Sequence, residues 1–194
     1  MHVDLIPRGQ FKRSLESGLV NSWSEMVFVR STLLFSKDRT IQTWYQNHHR
    51  FQVGERDRKF ALLQILERAL PKLETAKKEF FIKQDMVYAF ISILDLIDLL
   101  AGFEVIWNGE VPGREKIQPA LEYNPTFFNF VYHEFINQPK TADRLEQVLI
   151  AIDQYLFDHR SICQPIFDYL HSQSGPRSIT EIDSHLKLSS RQSS

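Results

Sequence analysis

The longest regular pattern of apolar and polar positions lies in the middle of the chain, over residues 83–108. At helical spacing it contains one wide apolar stripe, formed by Val87, Phe90, Ile91, Leu94, Ile97 and Leu100 and widened by Met86, Ile93 and Leu99. Because so wide an apolar face needs cover from more than one neighbour, the pattern predicts the central helix of a helical bundle. Asp95 and Asp98 lie near its middle, so the apolar run is too interrupted for a membrane span. Asn108-Gly109 is expected to end the helix.

Helical periodicity continues on both sides of this stretch, and we predict a helical bundle domain over residues 51–172 with about five to six helices. One amphipathic segment runs from residue 59 to residue 80. It contains Pro71, which is expected either to kink the helix or to start a new one. Asn124, followed by a proline, is placed to cap a further helix, and Thr141 is placed to start the last long one.

The first 50 residues have a different pattern. Residues 2–6 and 29–36 are predicted as two short strands, and residues 40–49 as a helix. Two strands cannot bury a core by themselves, so this segment is expected to pack on the bundle or on a second chain. The predicted fold class is therefore mainly α, a helical bundle preceded by a small α/β remnant with two short strands.

The C-terminal part is predicted to become irregular in two steps. Pro165 should bend the last long helix. Residues 173–194 then form a separate terminal segment, with a short amphipathic helix over residues 178–186 and a serine-rich disordered end.

Composition narrows the function classes. The formal net charge of −1 provides no bulk attraction to nucleic acid or to an anionic membrane. The single cysteine, Cys163, excludes an internal disulfide and a cysteine-based metal cluster, and we expect it to be a small buried residue. Met1 and the residues after it do not resemble a signal peptide, so a cytoplasmic location is expected.

Asp95 and Asp98 have two interpretations. They could face a cleft with perturbed pKa values, or they could pair with Lys or Arg from neighbouring helices. The second interpretation is favoured, because unpaired buried charge is rare.

The histidines do not predict a metal site. His48 and His49 are adjacent in sequence, so on a helix their side chains point apart. His133, His159 and His171 lack carboxylate partners at the spacing of metal ligands.

Three runs follow one another in the opening segment: Val3-Asp4-Leu5-Ile6, then Arg8…Phe11…Leu15-Glu-Ser-Gly18, then Leu33-Leu34-Phe35-Ser-Lys-Asp38. Together they resemble the C-terminal portion of a nucleotidyltransferase domain of the polymerase-β-like class, which includes the minimal and aminoglycoside nucleotidyltransferases. In that family a strand that reads hydrophobic-Asp-hydrophobic supplies the third active-site carboxylate, and an all-helical domain covers the substrate cleft.

The resemblance implies a reaction and a site. The reaction is transfer of a nucleoside monophosphate from a nucleoside triphosphate, such as ATP, to the hydroxyl of a small-molecule acceptor, with Mg²⁺ as the cofactor. Asp4 would be the catalytic carboxylate and a metal ligand. Lys83, Tyr88 and Arg8 would contact the nucleotide or the substrate.

The sequence also departs from the family. The family's Gly-Ser turn and Asp-x-Asp strand hold the triphosphate and Mg²⁺, and neither occurs anywhere in this chain. Phosphoryl transfer depends on positioning and on neutralisation of charge by the metal, for which Asp4 alone is not enough. We therefore expect the chain by itself to be inactive and not to hold Mg²⁺. The alternative is a non-catalytic helical interaction module that forms a homodimer or pairs with a partner chain supplying the missing half.

Overall fold

The computed structural model describes residues 5, 7–10, 32–48 and 55–186 of the 194-residue chain. These residues are mainly helical, and none of them belongs to a strand. The strand predicted over residues 29–36 is wrong for its described part, residues 32–36, because no other described segment runs beside their backbone as a paired strand. Of the strand predicted over residues 2–6, only Leu5 lies within the described residues.

The first complete helix, α1, spans Arg39–His48, close to the prediction. It begins at Asp38, whose Oδ1 accepts a hydrogen bond from the backbone N–H of Thr40 at 2.8 Å. A side-chain acceptor at this position satisfies a donor that the first helical turn leaves free, which explains why the helix starts here.

The bundle begins with α2, Glu55–Lys77, and α2 runs directly into a π-helical segment, Lys78–Ile82. The helix passes through Pro71 without a break, so Pro71 does not start a new helix as one of the two predictions had it. Pro71 lies on the exposed side of α2, where water can satisfy the carbonyl group that a proline leaves unpaired.

The predicted central helix is confirmed as α3, Met86–Trp107. The side chain of Asp85 caps its start by accepting from the backbone N–H of Tyr88 at 2.9 Å. Asn108 ends it, and Gly109 follows with a φ of 86°, a left-handed conformation that glycine adopts without a Cβ clash. The short corner between α2 and α3 makes the two helices an antiparallel hairpin, the most extensively packed pair of elements in the described structure.

The predicted apolar stripe of α3 is wrong at two positions in its first half, Val87 and Ile91, whereas Met86, Phe90 and Leu94 pack partly buried against the core. Val87 is 71% exposed and Ile91 is 50% exposed, whereas Ile97 and Leu100 are buried as expected. The buried face of α3 is rotated from the predicted stripe, and its completely buried residues include Ala89, Ile93, Leu96, Leu100 and Phe103.

The remaining helices close the bundle around α3. They are α4 (Ile117–Tyr123), α5 (Pro125–Phe128), a π-helical segment (Asn129–Glu134), α6 (Phe135–Asn137), α7 (Ala142–Asp158), a 3₁₀ turn (Arg160–Cys163), α8 (Gln164–His171) and α9 (Ile179–Leu186). Both predicted caps are confirmed: Asn124 Oδ1 accepts from the N–H of Phe127 and Thr141 Oγ1 from that of Arg144, each at 3.3 Å.

Pro165 does not bend one long helix. Instead α7 ends at Asp158, and Pro165 lies in the first turn of the separate helix α8, where its missing N–H has no helical partner to lose.

The core between the helices is apolar, and its largest fully buried side chains come from α2, α3, α5, α6 and α7: Leu62, Ile93, Leu96, Ile97, Leu100, Phe103, Ile106, Phe128, Phe135, Leu145, Leu149 and Ile152. Across the described ranges, no helix combines the length and the apolar character needed to cross a bilayer.

Candidate functional site

An ion pair joins two of the runs that carry the family resemblance. The Nε atom of Arg8 lies 2.6 Å from Oδ2 of Asp38, which closes the leucine-leucine-phenylalanine run. The guanidinium of Arg8 lowers the pKa of the Asp38 carboxyl below its ordinary value of 3.8. Arg8, predicted as a nucleotide contact, is therefore engaged by Asp38 in this structure. Asp4, the predicted catalytic residue, lies outside the described residues.

The same segment exposes large apolar side chains. Leu34 is 94% exposed, Phe35 is 75% exposed, and Leu5 is 95% exposed. Residues 32–36 have no regular structure, so their backbone groups are not paired in a sheet. Proteins ordinarily cover large apolar side chains that are exposed together in this way.

Lys83 and Tyr88, the other two predicted contacts, lie at the corner between α2 and α3. Lys83 Nζ is 2.8 Å from Oε1 of Glu79, a carboxylate in the π-helical segment that is only 7% exposed as a residue. Hydrogen bonding and charge from Glu79 raise the pKa of Lys83, and Tyr88 and Asp85 contribute in the same direction. The structure therefore brings Lys83 and Tyr88 into one neighbourhood, but it holds the Lys83 ammonium in an ion pair.

The backbone of this corner includes a non-glycine residue in a left-handed conformation. Gln84 has a φ of 56°, which costs a residue with a Cβ roughly 1–2 kcal/mol. The conformation lets the chain reverse so tightly that the N–H of Asp85 reaches the carbonyl of Glu79 at 2.9 Å. The corner is consequently fixed by the buried end of α2 and by the Asp85 cap of α3.

The predicted pairing of Asp95 and Asp98 with Lys or Arg from neighbouring helices is confirmed. Asp95 Oδ2 lies 2.7 Å from Nζ of Lys72 on α2, and Asp98 Oδ2 lies 2.7 Å from Nζ of Lys116 before α4. Both carboxylates are more than half exposed rather than buried, because each points out of the stripe towards the neighbouring helix. Each carboxylate therefore links α3 to a neighbouring element through a lysine.

A buried carboxylate that the sequence analysis missed lies near the other end of α3. Glu104 is 5% exposed, and its Oε2 accepts a hydrogen bond from the hydroxyl of Tyr155 on α7 at 2.6 Å. Its Oε1 accepts from the amide of Asn108 at 3.1 Å. Desolvation is the main reason that the pKa of Tyr155 is raised well above 10.0, and the Glu104 carboxylate adds to it. The sequence signal was available, since Glu104 is the one ionisable residue in the buried run 101–106.

Aromatic rings pack closely around this hydrogen-bonded group. The ring of Phe127 stacks on that of Tyr155 with centroids 4.3 Å apart, and the imidazole of His159 lies 4.4 Å from it. The Nδ1 atom of His159 is 2.7 Å from the carbonyl oxygen of Tyr155, which accepts. The indole of Trp107 meets His159 edge to face at 4.8 Å. At these distances the rings leave no room for a ligand, so the group fastens α3, α5 and α7 together.

The residues available to Mg²⁺ can be tested against this geometry. Within the part of the chain that the structure describes, no group of three or more His, Cys, Asp or Glu side chains converges on one point. Asp95 and Asp98 are each engaged by a lysine. Mg²⁺ requires several oxygen ligands in near-octahedral geometry. The described residues therefore do not fit a resident Mg²⁺ ion.

Comparison with known proteins gives one structural match. No protein-family model matches the sequence, and no curated protein sequence matches it significantly. The structure is similar to the crystal structure of a nucleotidyltransferase-like protein from Exiguobacterium sibiricum 255-15, with a TM-score of 0.68 and 14% sequence identity. The match covers 93% of this chain and 63% of that one, so this chain spans less than two thirds of that protein's length. Over most of its own length, the chain thus has the fold of a nucleotidyltransferase-like protein.

Proposed function

We propose that this chain is the C-terminal portion of a nucleotidyltransferase of the polymerase-β-like class, the enzymes that transfer a nucleoside monophosphate from a nucleoside triphosphate to an acceptor hydroxyl. The observation that carries the proposal is the structural match, which includes 93% of this chain but only 63% of a nucleotidyltransferase-like protein. The resemblance of the opening runs supports the same assignment independently of the fold. In this proposal the helical bundle covers the substrate side of the active site.

The Arg8–Asp38 ion pair supports the assignment of Asp4. It ties the segment that follows Asp4 to the run that ends at Asp38, the arrangement expected if these two runs belong to one domain. We assign Asp4 as the catalytic carboxylate and Arg8 as a positioning residue. Arg8 would hold the Asp4 segment against α1, rather than contact the nucleotide.

Lys83 and Tyr88 remain proposed contacts for the nucleotide or the acceptor, although Lys83 is already engaged in an ion pair. The Lys83 ammonium is paired with Glu79 at 2.8 Å, so a phosphate group would have to displace that carboxylate or share the cation with it. The phenol of Tyr88 is 53% exposed and accessible for stacking or hydrogen bonding. Of the two side chains, Tyr88 is therefore the more available.

The proposed chain is inactive by itself and requires a second segment. No Gly-Ser turn with an Asp-x-Asp strand occurs in the sequence, so the remaining metal ligands must come from another stretch of protein. The exposed Leu34 and Phe35 provide an apolar surface that such a segment could cover. The similar protein extends beyond the 63% of its chain that is matched, which supports the proposal of a further segment.

Complementation tests this proposal. The chain is mixed with a nucleotidyltransferase segment that contains a Gly-Ser turn and an Asp-x-Asp strand, and pyrophosphate release from ATP and Mg²⁺ is measured with a panel of hydroxyl acceptors. We expect release only from the mixture, its loss in Asp4→Asn, and its retention in Asp143→Asn, an exposed control at the start of α7. Release by the chain alone, or release that survives Asp4→Asn, would contradict the proposal.

The second candidate function is the non-catalytic helical interaction module. It is favoured by one observation that nucleotidyl transfer does not explain. Large apolar side chains on either side of the α2–α3 corner are at least half exposed: Phe81, Ile82, Val87 and Ile91.

A further inference from the structure

Each end of α3 is flanked by a residue in the left-handed backbone conformation, but the two residues are of different types. Gly109 follows the helix with a φ of 86°, and Gln84 precedes it with a φ of 56°. Glycine adopts this conformation without a Cβ clash, whereas a glutamine is strained in it. Strained residues of this kind cluster at active sites and ligand contacts.

The turn between α2 and α3 does not depend on the side chain of Gln84. The N–H of Lys83 donates to the carbonyl of Lys78 at 3.1 Å. The N–H of Asp85 donates to the carbonyl of Glu79 at 2.9 Å. The Gln84 amide takes no part in either bond, and the side chain is exposed. A glycine at this position would form the same turn with less strain, so the turn does not explain why the residue is a glutamine.

Gln84 lies between the two proposed nucleotide contacts. Lys83 directly precedes it, and Tyr88 lies in the first turn of α3. The pKa of Lys83 is raised mainly by its hydrogen bond to Glu79, and Tyr88 is close enough to contribute. Residues 83–88 therefore present an ammonium, an amide and a phenol at one corner of the bundle.

These three groups suit three different parts of a nucleoside triphosphate. An ammonium binds phosphate oxygens, and the ring of a tyrosine stacks on a base. A side-chain amide has a donor and an acceptor side by side, which matches the N6–H₂ donor and the N7 acceptor of adenine. The amide is neutral, so it contributes much less than an ammonium to phosphate binding.

We propose that Gln84 is a specificity-determining residue of the nucleotide site, whose side-chain amide pairs with the donor and acceptor edge of an adenine base. The amide oxygen accepts from the 6-amino group, and the amide N–H donates to the neighbouring ring nitrogen. This inference rests on the proposed function, because that function makes Lys83 and Tyr88 contacts of the nucleotide. It adds the residue that recognises the base.

NMR titration of the backbone amide signals of the full chain, without Mg²⁺, tests the proposal. The three probes are ATP, tripolyphosphate, and purine riboside triphosphate, which lacks the 6-amino group. Gln84→Gly removes the amide and relieves the strain. The matched control is Gln138→Gly, because Gln138 is an exposed glutamine between α6 and α7 whose φ is −97°. Urea unfolding gives the stability of each variant.

In Gln84→Gly the dissociation constant for ATP should rise about fivefold or more, as expected for the loss of one hydrogen-bonding amide. The constant for purine riboside triphosphate should rise less, and that for tripolyphosphate should stay unchanged. The urea midpoint should rise in Gln84→Gly, since strain is removed, and should not rise in Gln138→Gly. Gln138→Gly should bind ATP like the wild type.

Two results would overturn the assignment of Gln84 alone. One is ATP binding at the corner with the same dissociation constant in the wild type and in Gln84→Gly. The other is a loss of affinity for ATP that either of the other two probes shares in full. If ATP shifts no amide signal of residues 83–88 in the wild type, the nucleotide contact of the proposed function fails, and the assignment of Gln84 fails with it.

Discussion

The hydroxyl of Tyr155 donates a 2.6 Å hydrogen bond to the carboxylate of Glu104 inside the apolar core, and the bond joins α7 to α3. No cation balances this carboxylate among the contacts that the structure describes; its hydrogen-bond donors are the Tyr155 hydroxyl and the Asn108 amide. A buried carboxylate without these donors would be strongly destabilising. The pair therefore fixes how two helices of the bundle meet, and it does so at the end of α3 far from the corner that contains Lys83 and Tyr88.

Removing the Tyr155 hydroxyl should weaken the fold. Tyr155→Phe leaves a buried carboxylate oxygen without a donor, and we expect the free energy of unfolding to fall by about 1–3 kcal/mol. The matched control is Tyr123→Phe, which removes an exposed hydroxyl that bonds to Glu110 and should cost less than about 1 kcal/mol. Urea unfolding measures both. Equal losses in the two variants would contradict the role assigned to the buried pair.

High pH should destabilise the protein through the same tyrosine. In the unfolded chain Tyr155 loses its proton near pH 10.0, whereas in the folded chain its pKa is higher. The folded state then binds more protons than the unfolded state above pH 10.0, so stability is complete below that pH and declines as pH rises, by at most about 1.4 kcal/mol per pH unit for one group. Tyr123, with a pKa raised to about 12, adds to the decline between 10.0 and 12.

Urea unfolding of the wild type, Tyr155→Phe and Tyr123→Phe from pH 8 to pH 12 separates the two contributions. Tyr155→Phe should have a shallower decline than the wild type between pH 10.0 and pH 12, and the same pH dependence of stability below pH 10.0. A slope above pH 10.0 that is the same in the wild type and in Tyr155→Phe would contradict the buried environment described for this residue.

Cavities in α3 should distinguish the observed core face from the predicted one. Leu96 is completely buried, so Leu96→Ala should lower the free energy of unfolding by roughly 2–5 kcal/mol. Val87 is 71% exposed, so Val87→Ala should change it by less than about 0.5 kcal/mol. The two values come from the same unfolding measurement. A larger loss for Val87→Ala than for Leu96→Ala would restore the stripe predicted from the sequence.

The Arg8–Asp38 pair should be visible in the titration of Asp38. The guanidinium lowers the pKa of Asp38, so any stability that the pair contributes is present above 3.8 and is lost as pH falls through the lowered value. In Arg8→Ala the pKa of Asp38, followed by carboxyl carbon NMR, should move up towards 3.8. Arg68→Ala, which removes a cation from the exposed face of α2, should leave it unchanged. The same Asp38 pKa in wild type and Arg8→Ala would rule out the pair in solution.

The sequence predicted those features that depend on neighbours along the chain. The cap at Asn124 and the start at Thr141 need only the first turn of the helix that each begins. The end of α3 at Asn108-Gly109 follows from the conformational freedom of one glycine. Pairing of Asp95 and Asp98 with lysines was predicted because an aspartate beside an apolar stripe has few other stable arrangements.

The features that the sequence did not reveal depend on partners far apart in the chain. Tyr155 and Glu104 are 51 positions apart, and nothing local to either residue specifies the other. Val87 and Ile91 are exposed because of the way in which α2 packs on α3. Helical periodicity alone does not determine how far α3 is rotated about its own axis. Arg8 was predicted as a nucleotide or substrate contact from the family resemblance, and its observed partner Asp38 lies 30 positions away in the chain.

Calorimetric titration of ATP into the chain, with and without Mg²⁺, measures whether this chain needs metal ligands from another segment. We predict weak binding whose dissociation constant is unchanged when Mg²⁺ is added, in the wild type, in Asp4→Asn and in the control Asp143→Asn alike. Tightening of ATP binding by Mg²⁺ in the wild type and in Asp143→Asn, with loss of that tightening in Asp4→Asn, would show that the chain already contains a complete metal site and would rule out the need for a second segment.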